Sequence, residues 1–126
     1  TVAIFNYTAS PRIDQIAVIS TGTSETFGVY NITGSSPIIS DVSIIASGGT
    51  QNIGMYNRTN SSPSMTNIKV DVSSDPGSVN NYGIYNDVGS SPTLTNVTIN
   101  VSGGSGNYGI ENQNSSPIMS NVTISA

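Results

Sequence analysis

The sequence predicts an all-β solenoid, in which short strands follow one another round successive coils that share a single core. Three observations predict it. One phrase recurs along the 126 residues, as GVYNITGSSPIISDVSIIASGG (28–49), GMYNRTNSSPSMTNIKVDVSS (54–74) and GIYNDVGSSPTLTNVTINVSGG (83–104). Within each copy, apolar residues alternate with polar ones in short runs rich in Val, Ile and Thr, which is the period of a strand and not of a helix. Gly, Ser, Asn and Pro separate the runs, and a unit this short cannot bury a face alone, so successive copies must stack.

The elements follow in a fixed order. Aligned on its Gly, the phrase starts at Gly28, Gly54, Gly83 and Gly109, with Ala3 of AIFN as a diverged first copy, so five copies fill the chain. The coils begin near residues 2, 27, 53, 82 and 108 and are 25–29 residues long, within one domain covering 1–126. The first strand of each coil, as in YGIYN, turns Ile4, Val29, Met55, Ile84 and Ile110 inward by alternation. Pro11, Pro37, Pro63, Pro92 and Pro117 follow in phase, each with an inward apolar residue two places on: Ile13, Ile39, Met65, Leu94 and Met119. A polar turn residue comes next, Gln15, Asp41, Asn67, Asn96 or Asn121. Behind it a run such as VTINV points pairs inward: Val42 with Ile44, Ile68 with Val70, Val97 with Ile99, Val122 with Ile124. Only the last turn varies in length, longest at SSDPGSVNN, as at a surface corner that tolerates insertion.

The pattern G-[IVM]-[YF]-N followed by S-P-x-[ILM]-[ST]-N-[VI]-x-[IV] resembles the repeat of right-handed parallel β-helices, the pectate-lyase-like fold, and covers essentially the whole chain. The resemblance implies a right-handed, single-stranded β-helix with three parallel sheets per coil. It also implies a tight bend after the second sheet that carries a stacked polar ladder, here Gln15, Asp41, Asn67, Asn96 and Asn121. Amides stacked every ~4.8 Å hydrogen-bond along such a column. Gln15 and Asp41 depart from Asn, so the ladder is expected to be weaker at its N-terminal end.

Composition narrows the function classes. Only 8% of residues are charged, against roughly 25% in an ordinary domain, so the surface must be made polar by Ser, Thr, Asn and Gly. That suits an extracellular, cell-surface or virion setting. A net charge of −4 with three basic residues leaves nothing to neutralise a phosphate backbone, which argues against nucleic acid and against anionic membranes. No apolar stretch approaches membrane-span length. With no Cys and no His, disulfides, thiol chemistry, the commonest general base and the commonest zinc ligand are all missing.

Enzymes of the resembled fold work with clustered carboxylates, with metals or with arginine. Here Asp14, Glu25, Asp41, Asp71, Asp75, Asp87 and Glu111 spread over different coils and corners, and Arg12, Arg58 and Lys69 occupy different coil positions. The expectation is therefore no enzyme activity, no catalytic residue, no cofactor and no metal site. A column running Phe5, Tyr30, Tyr56, Tyr85 and then Glu111 is expected to face outward beside the small residues Ala3, Gly28, Gly54, Gly83 and Gly109. Such a flat strip suits a lateral interface, a glycan platform, or stacking that only stabilises the sheet. Among the Asn-X-Ser/Thr sequons at Asn6, Asn31, Asn57, Asn60, Asn96, Asn100, Asn114 and Asn121, the expected N-glycosylation acceptors are Asn57 and Asn60, in a turn expected to be exposed.

The ends complete the expectation. Thr1 runs straight into the first strand and Ala126 stops as the third ends, with no evident cap, so Val2, Ile4, Ile13, Ile110, Met119, Val122 and Ile124 are the expected axial contacts. Their partner is either another copy stacked head to tail or flanking coils of a longer chain. The functional expectation is a structural β-helix of an extracellular filament or surface fibre. The competing classes are a carbohydrate-binding adhesin or phage tail-fibre segment using the aromatic strip, and a polysaccharide lyase- or hydrolase-like domain.

Overall fold

In the computed structural model, which describes residues 1–126, each alternating run is a strand. The order is β1 (Val2–Tyr7), β2 (Arg12–Asp14), β3 (Ala17–Thr21), β4 (Glu25–Ile32), β5 (Ile38–Ser47), β6 (Gln51–Arg58), β7 (Ser64–Ser73), β8 (Asn81–Asp87), β9 (Thr93–Ser102), β10 (Asn107–Asn112) and β11 (Ile118–Ser125). No helix forms, and all pairing is parallel between equivalent strands of successive coils. One ladder runs β1-β4-β6-β8-β10; the other runs β11-β9-β7-β5 and ends on β2 and β3, which both pair with β5. The chain is a parallel β-solenoid of about five coils.

The three faces expected per coil are carried by two ladders, because the second and third faces are one strand with a bend. Asp41, Asn67 and Asn96 lie inside β5, β7 and β9 in the left-handed region, with φ of 53°, 55° and 54°, and Gln15 and Asn121 match them at 52°. That conformation is tolerated best by Asn and Asp, which explains the residue types at this corner. The bend also shifts the alternation: Met65 and Ile68 both face inward, three residues apart, with Thr66 and Asn67 outside. Pairing passes through the corner even in the first coil, where Gln15 N–H donates to Ser40 O and Ser43 N–H to Ile16 O.

The core is the set of columns this arrangement buries: Val29, Met55 and Ile84 from the first face, Ile13, Ile39, Met65 and Leu94 from the second, and Val42, Ile44, Ile68, Val70, Val97 and Ile99 from the third. Ile4, Ile110 and Val122 pack against it half-buried.

The glycines lie elsewhere than the alternation rule puts them. Gly28, Gly54, Gly83 and Gly109 do not flank the aromatics outside; they are buried, and the residue after each faces inward as well. A Cβ at Gly28, Gly54, Gly83 or Gly109 would meet Ile44, Val70, Ile99 or Ile124 of the third face within 2.0–2.4 Å. The ladder pairs skip these positions, joining Phe27 to Ile53 and Val29 to Met55. Two successive inward residues break the alternation in every coil alike, and this slip of one residue returns Phe27 to the same outer face as Tyr30. The column is glycine because first and third faces touch there.

Gly54→Ala should therefore destabilise the fold by about 1–3 kcal/mol, the usual cost of overpacking, since its Cβ would also lie 2.7 Å from the Gly83 carbonyl oxygen. Urea denaturation measures this, and an unchanged midpoint would mean that the faces can separate without cost.

Candidate functional site

Two surfaces stand out, the outer face of the first ladder and the ends of the coil stack. On the outer face, strand register aligns Phe5, Tyr30, Tyr56, Tyr85 and Glu111 in one column. Tyr30 and Tyr56 stack with centroids 5.0 Å apart and planes 13° apart, Tyr56 and Tyr85 at 4.9 Å and 11°, and Phe5 meets Tyr30 edge-on at 5.5 Å. A second column escaped the alternation argument because of the glycine slip. It reads Val2, Phe27, Ile53, Tyr82 and Tyr108. Phe27 stacks on Tyr30 at 5.3 Å, Tyr82 on Tyr85 at 5.0 Å, and Tyr108 on Tyr82 at 5.0 Å. Where Glu111 ends the first column of rings, the stack thus passes to the second. Ile53, between Phe27 and Tyr82 in this column, is buried but outside the core cluster.

The geometry decides what the strip offers. Within the column the ring faces are turned to one another, so the rings present edges outward. A sugar that stacks on an aromatic needs a free face, and free faces remain only near the ends, as at Phe5, which is 58% exposed. Tyr56 Oη donates to Asp87 Oδ2 at 3.3 Å, and Arg58 Nε lies 3.7 Å from the same oxygen. Burial pushes Tyr56, Tyr82 and Tyr85 above the ordinary tyrosine pKa, with the Asp87 carboxylate adding to the rise at Tyr56 and Tyr85.

Polar ladders run along the solenoid beside the rings. The corner ladder is on the surface: Asn67 Nδ2 donates to Asp41 at 2.9 Å, Asn96 to Asn67 at 3.0 Å and Asn121 to Asn96 at 2.8 Å. Gln15 makes no side-chain hydrogen bond to Asp41. A second amide ladder lies inside the first face, where Asn6 Nδ2 donates to Asn31, Asn31 to Asn57, Asn57 to Asn86 and Asn86 to Asn112, at 2.8–2.9 Å. Its signal in the sequence is the Asn that follows the aromatic in AIFN, GVYN, GMYN and GIYN. If Val29 points in and Tyr30 out, Asn31 points in.

That ladder corrects one expectation. Asn57 is not in an exposed turn but wholly buried with both amide atoms bonded to neighbouring coils, so the folded coil has no room for a glycan there; Asn60 is exposed. The Ser-Ser-Pro corners form two further ladders. The N–H of Ser35 donates to Ser61 Oγ and that of Ser61 to Ser90 Oγ, toward the C-terminal coil. The N–H groups of Ser36, Ser62, Ser91 and Ser116 donate the opposite way, to Ser10, Ser36, Ser62 and Ser91.

The charged residues are dispersed. Arg12 pairs with Asp14 at 3.4 Å, Arg58 with Asp87, and Lys69 with Asp71 at 2.7 Å. Asp14 is held below the usual carboxylate range by a hydrogen bond from Ser40, against some desolvation and with help from Arg12. At Asp71, desolvation pushes upward and is outweighed by the hydrogen bond from Asn100 and by Lys69, so the net shift is downward. No three metal-ligating side chains come together. A shallow polar groove beside the longest turn is lined by Ser47, Gly48, Ser73, Ser74 and Asp75, without an apolar wall.

At the last coil, columns buried in the middle coils are open, whereas at the first coil Val18 is buried like its counterparts. Met119 is 50% and Ile124 47% exposed, while Met65, Leu94, Val70 and Ile99 in the same columns are fully buried. Val2 is exposed, Ile4, Ile110 and Val122 are half-covered, and Ile13, tucked in beside the Gln15 corner, is already buried. No family model, curated protein or solved structure matches the chain.

Replacing Asn57 by Ala should orphan the Asn31 amide and the Asn86 carbonyl, destabilising the fold by roughly 1–3 kcal/mol for each buried group left unpaired. Equilibrium unfolding checks this, and a loss below a few tenths would show the ladder to be dispensable.

The tyrosines make a pH prediction. A phenol whose folded pKa is raised contributes stability that is fully present below its unfolded value, about 10, and lost as pH rises through the folded value. Absorbance titration near 295 nm should show Tyr56, Tyr82 and Tyr85 ionising later than free tyrosine, with stability falling above about pH 10. Ionisation of every tyrosine at the ordinary value in a folded chain would contradict the burial of the stack.

Proposed function

We propose that this chain is a non-enzymatic structural element, a β-helix of the right-handed, pectate-lyase-like type that forms the shaft of an extracellular filament or surface fibre. The observation that carries the reading is the state of the end coils. On the last coil the side chains that continue the core columns, Met119 and Ile124, are open, on the first Ile4 is partly open while Ile13 and Val18 are buried, and strand edges lie unpaired on β1 and β10 and on β2, β3 and β11. Apolar columns flanked by unsatisfied backbone groups are a template for another parallel coil. Coil stacking, by another copy or by further coils of the same polypeptide, covers both at once. The surface between the ends supports the same role, being uncharged over long stretches, held by amide and hydroxyl ladders, and without a cluster of acids and bases on one face.

The competing reading, a carbohydrate-binding adhesin or tail-fibre segment, draws on the outward-facing tyrosines, whose hydroxyls can hydrogen-bond a glycan. Ring faces turned to each other weigh against it. A lyase- or hydrolase-like domain has less support still, since each Arg or Lys is paired with a separate carboxylate.

The purified chain should form unbranched fibres as its concentration rises, one coil stack of roughly 24 Å per copy at ~4.8 Å per coil. Negative-stain microscopy and sedimentation velocity measure this. Strictly monomeric particles at high concentration would end the axial reading.

A further inference from the structure

The hydrogen-bond ladders have direction, and their directions specify how two copies meet. In the inner ladder each Nδ2 donates toward the next coil, from Asn6 to Asn112. In the corner ladder each donates toward the preceding coil, from Asn121 to Asp41. The corner direction is imposed by chemistry: an ionised Asp41 only accepts, so Asn67 must present its Nδ2 to it and its Oδ1 to Asn96. The two ends of the solenoid are consequently different. The first coil ends on the acceptor Asn6 Oδ1 and on the free amide of Gln15. The last coil ends on the donor Asn112 Nδ2 and on the acceptor Asn121 Oδ1.

We infer that the two ends of this chain are complementary to each other, so that two copies of it join end to end in one register only, with Asn112 donating to Asn6 and Gln15 donating to Asn121. The inference rests on the axial-stacking reading above and deepens it by naming the partner and the contacts. The same register sets Met119 against Ile13, Ile110 against Ile4, and Ile124 against Val18, so each core column continues. It also brings Ser116 Oγ to the N–H of Ser10, as in the coils below. One link is lost, because Ala9 stands where later coils have serine and the N–H of Ser115 gains no hydroxyl. Pairing two first coils instead would set the Asn6 acceptor against its own copy and break the parallel columns.

The lack of cysteine makes the register testable. Arg12 and Ile118 are exposed, take no part in the ladders or core, and belong to one outward column through Ile38, Ser64 and Thr93. Across the junction they become neighbours at ~4.8 Å, inside disulfide reach. The double variant Arg12→Cys with Ile118→Cys should give a ladder of disulfide-linked multimers under mild oxidation, while each single variant stays uncross-linked. Dimers from either single variant would overturn the inference in favour of like-end pairing. A second variant tests the ladder chemistry. Asn112→Asp still accepts from Asn86 within its own chain, yet sets a carboxylate against Asn6 Oδ1. Fibre content at pH 7 should fall about tenfold with the circular dichroism unchanged, and recover relative to the unsubstituted chain near pH 3, where the carboxyl regains a proton. Fibres that persist in Asn112→Asp without cross-links in the double variant would overturn the register while leaving stacking intact. Absence of fibres from the unsubstituted chain would overturn both.

Discussion

The structure depends on one constraint: each coil lies a single strand spacing, ~4.8 Å, from the next. At that distance a side chain's principal neighbour is its counterpart in the adjacent coil, and a position works only if its occupant packs or bonds with itself. Apolar columns satisfy the condition by dispersion and burial, as Ile39, Met65 and Leu94 do. Carboxamides satisfy it because each carries a donor and an acceptor, which is why Asn31, Asn57 and Asn86 can be buried in the middle of a small solenoid without a charge partner. Aromatic rings satisfy it face to face. Of the 73 backbone hydrogen bonds, 54 lie within strand pairings, so the backbone obeys the same rule and leaves its unpaired edges at the two ends.

Self-complementarity also made most of the fold legible in the sequence. Period two within copies and register between copies were enough to place Ile84, Leu94, Val97 and Ile99, because a strand alternates unless something interrupts it. Two interruptions were not equally readable. The corner at Asn67 and Asn96 is marked by a residue type suited to the left-handed region. The slip at Gly54 and Gly83 carries no such mark, since alternation counts a glycine like any other residue and the reason for it is a third-face side chain such as Val70, distant in sequence. Counting through the slip put the glycines outside and hid Phe27, Tyr82 and Tyr108 from the aromatic face. The Asn57 column was readable by alternation, but the same letters spell a sequon. Burial separates the two meanings.

The first two coils show what divergence does under this constraint. Thr26 occupies the place taken by Asn52, Asn81 and Asn107 in later coils, where amides bond to one another at 3.0–3.2 Å. Its hydroxyl cannot span that gap, and Thr26 Oγ1, with Ser20 Oγ, is a buried polar atom without a partner. Gln15, a methylene longer than Asn, faces an acceptor-only Asp41 and forms no rung, and Ala9 removes a hydroxyl from a serine column. The corner ladder therefore stops at Asp41, while the inner amide ladder still reaches the first coil through Asn6, and Ser40 donates to Asp14 beside the corner.

The same constraint accounts for the scarcity of charge. Like charges stacked one strand spacing apart repel by about 1 kcal/mol even in bulk water and more near a protein surface, so a repeat that copied a Lys or Glu into every coil would accumulate that cost along its length. Opposite charges can be stacked only by breaking the repeat, as at Arg58 and Asp87, which are register partners in adjacent coils. A repeated surface can be polar without this penalty only through groups that both donate and accept. Ser, Thr and Asn are those groups, and they dominate the outward positions. The property that allows one coil to follow another within the chain is thus the pairing of neutral groups with their own kind, and the few charges, such as Arg58 and Asp87, sit where the repeat is broken.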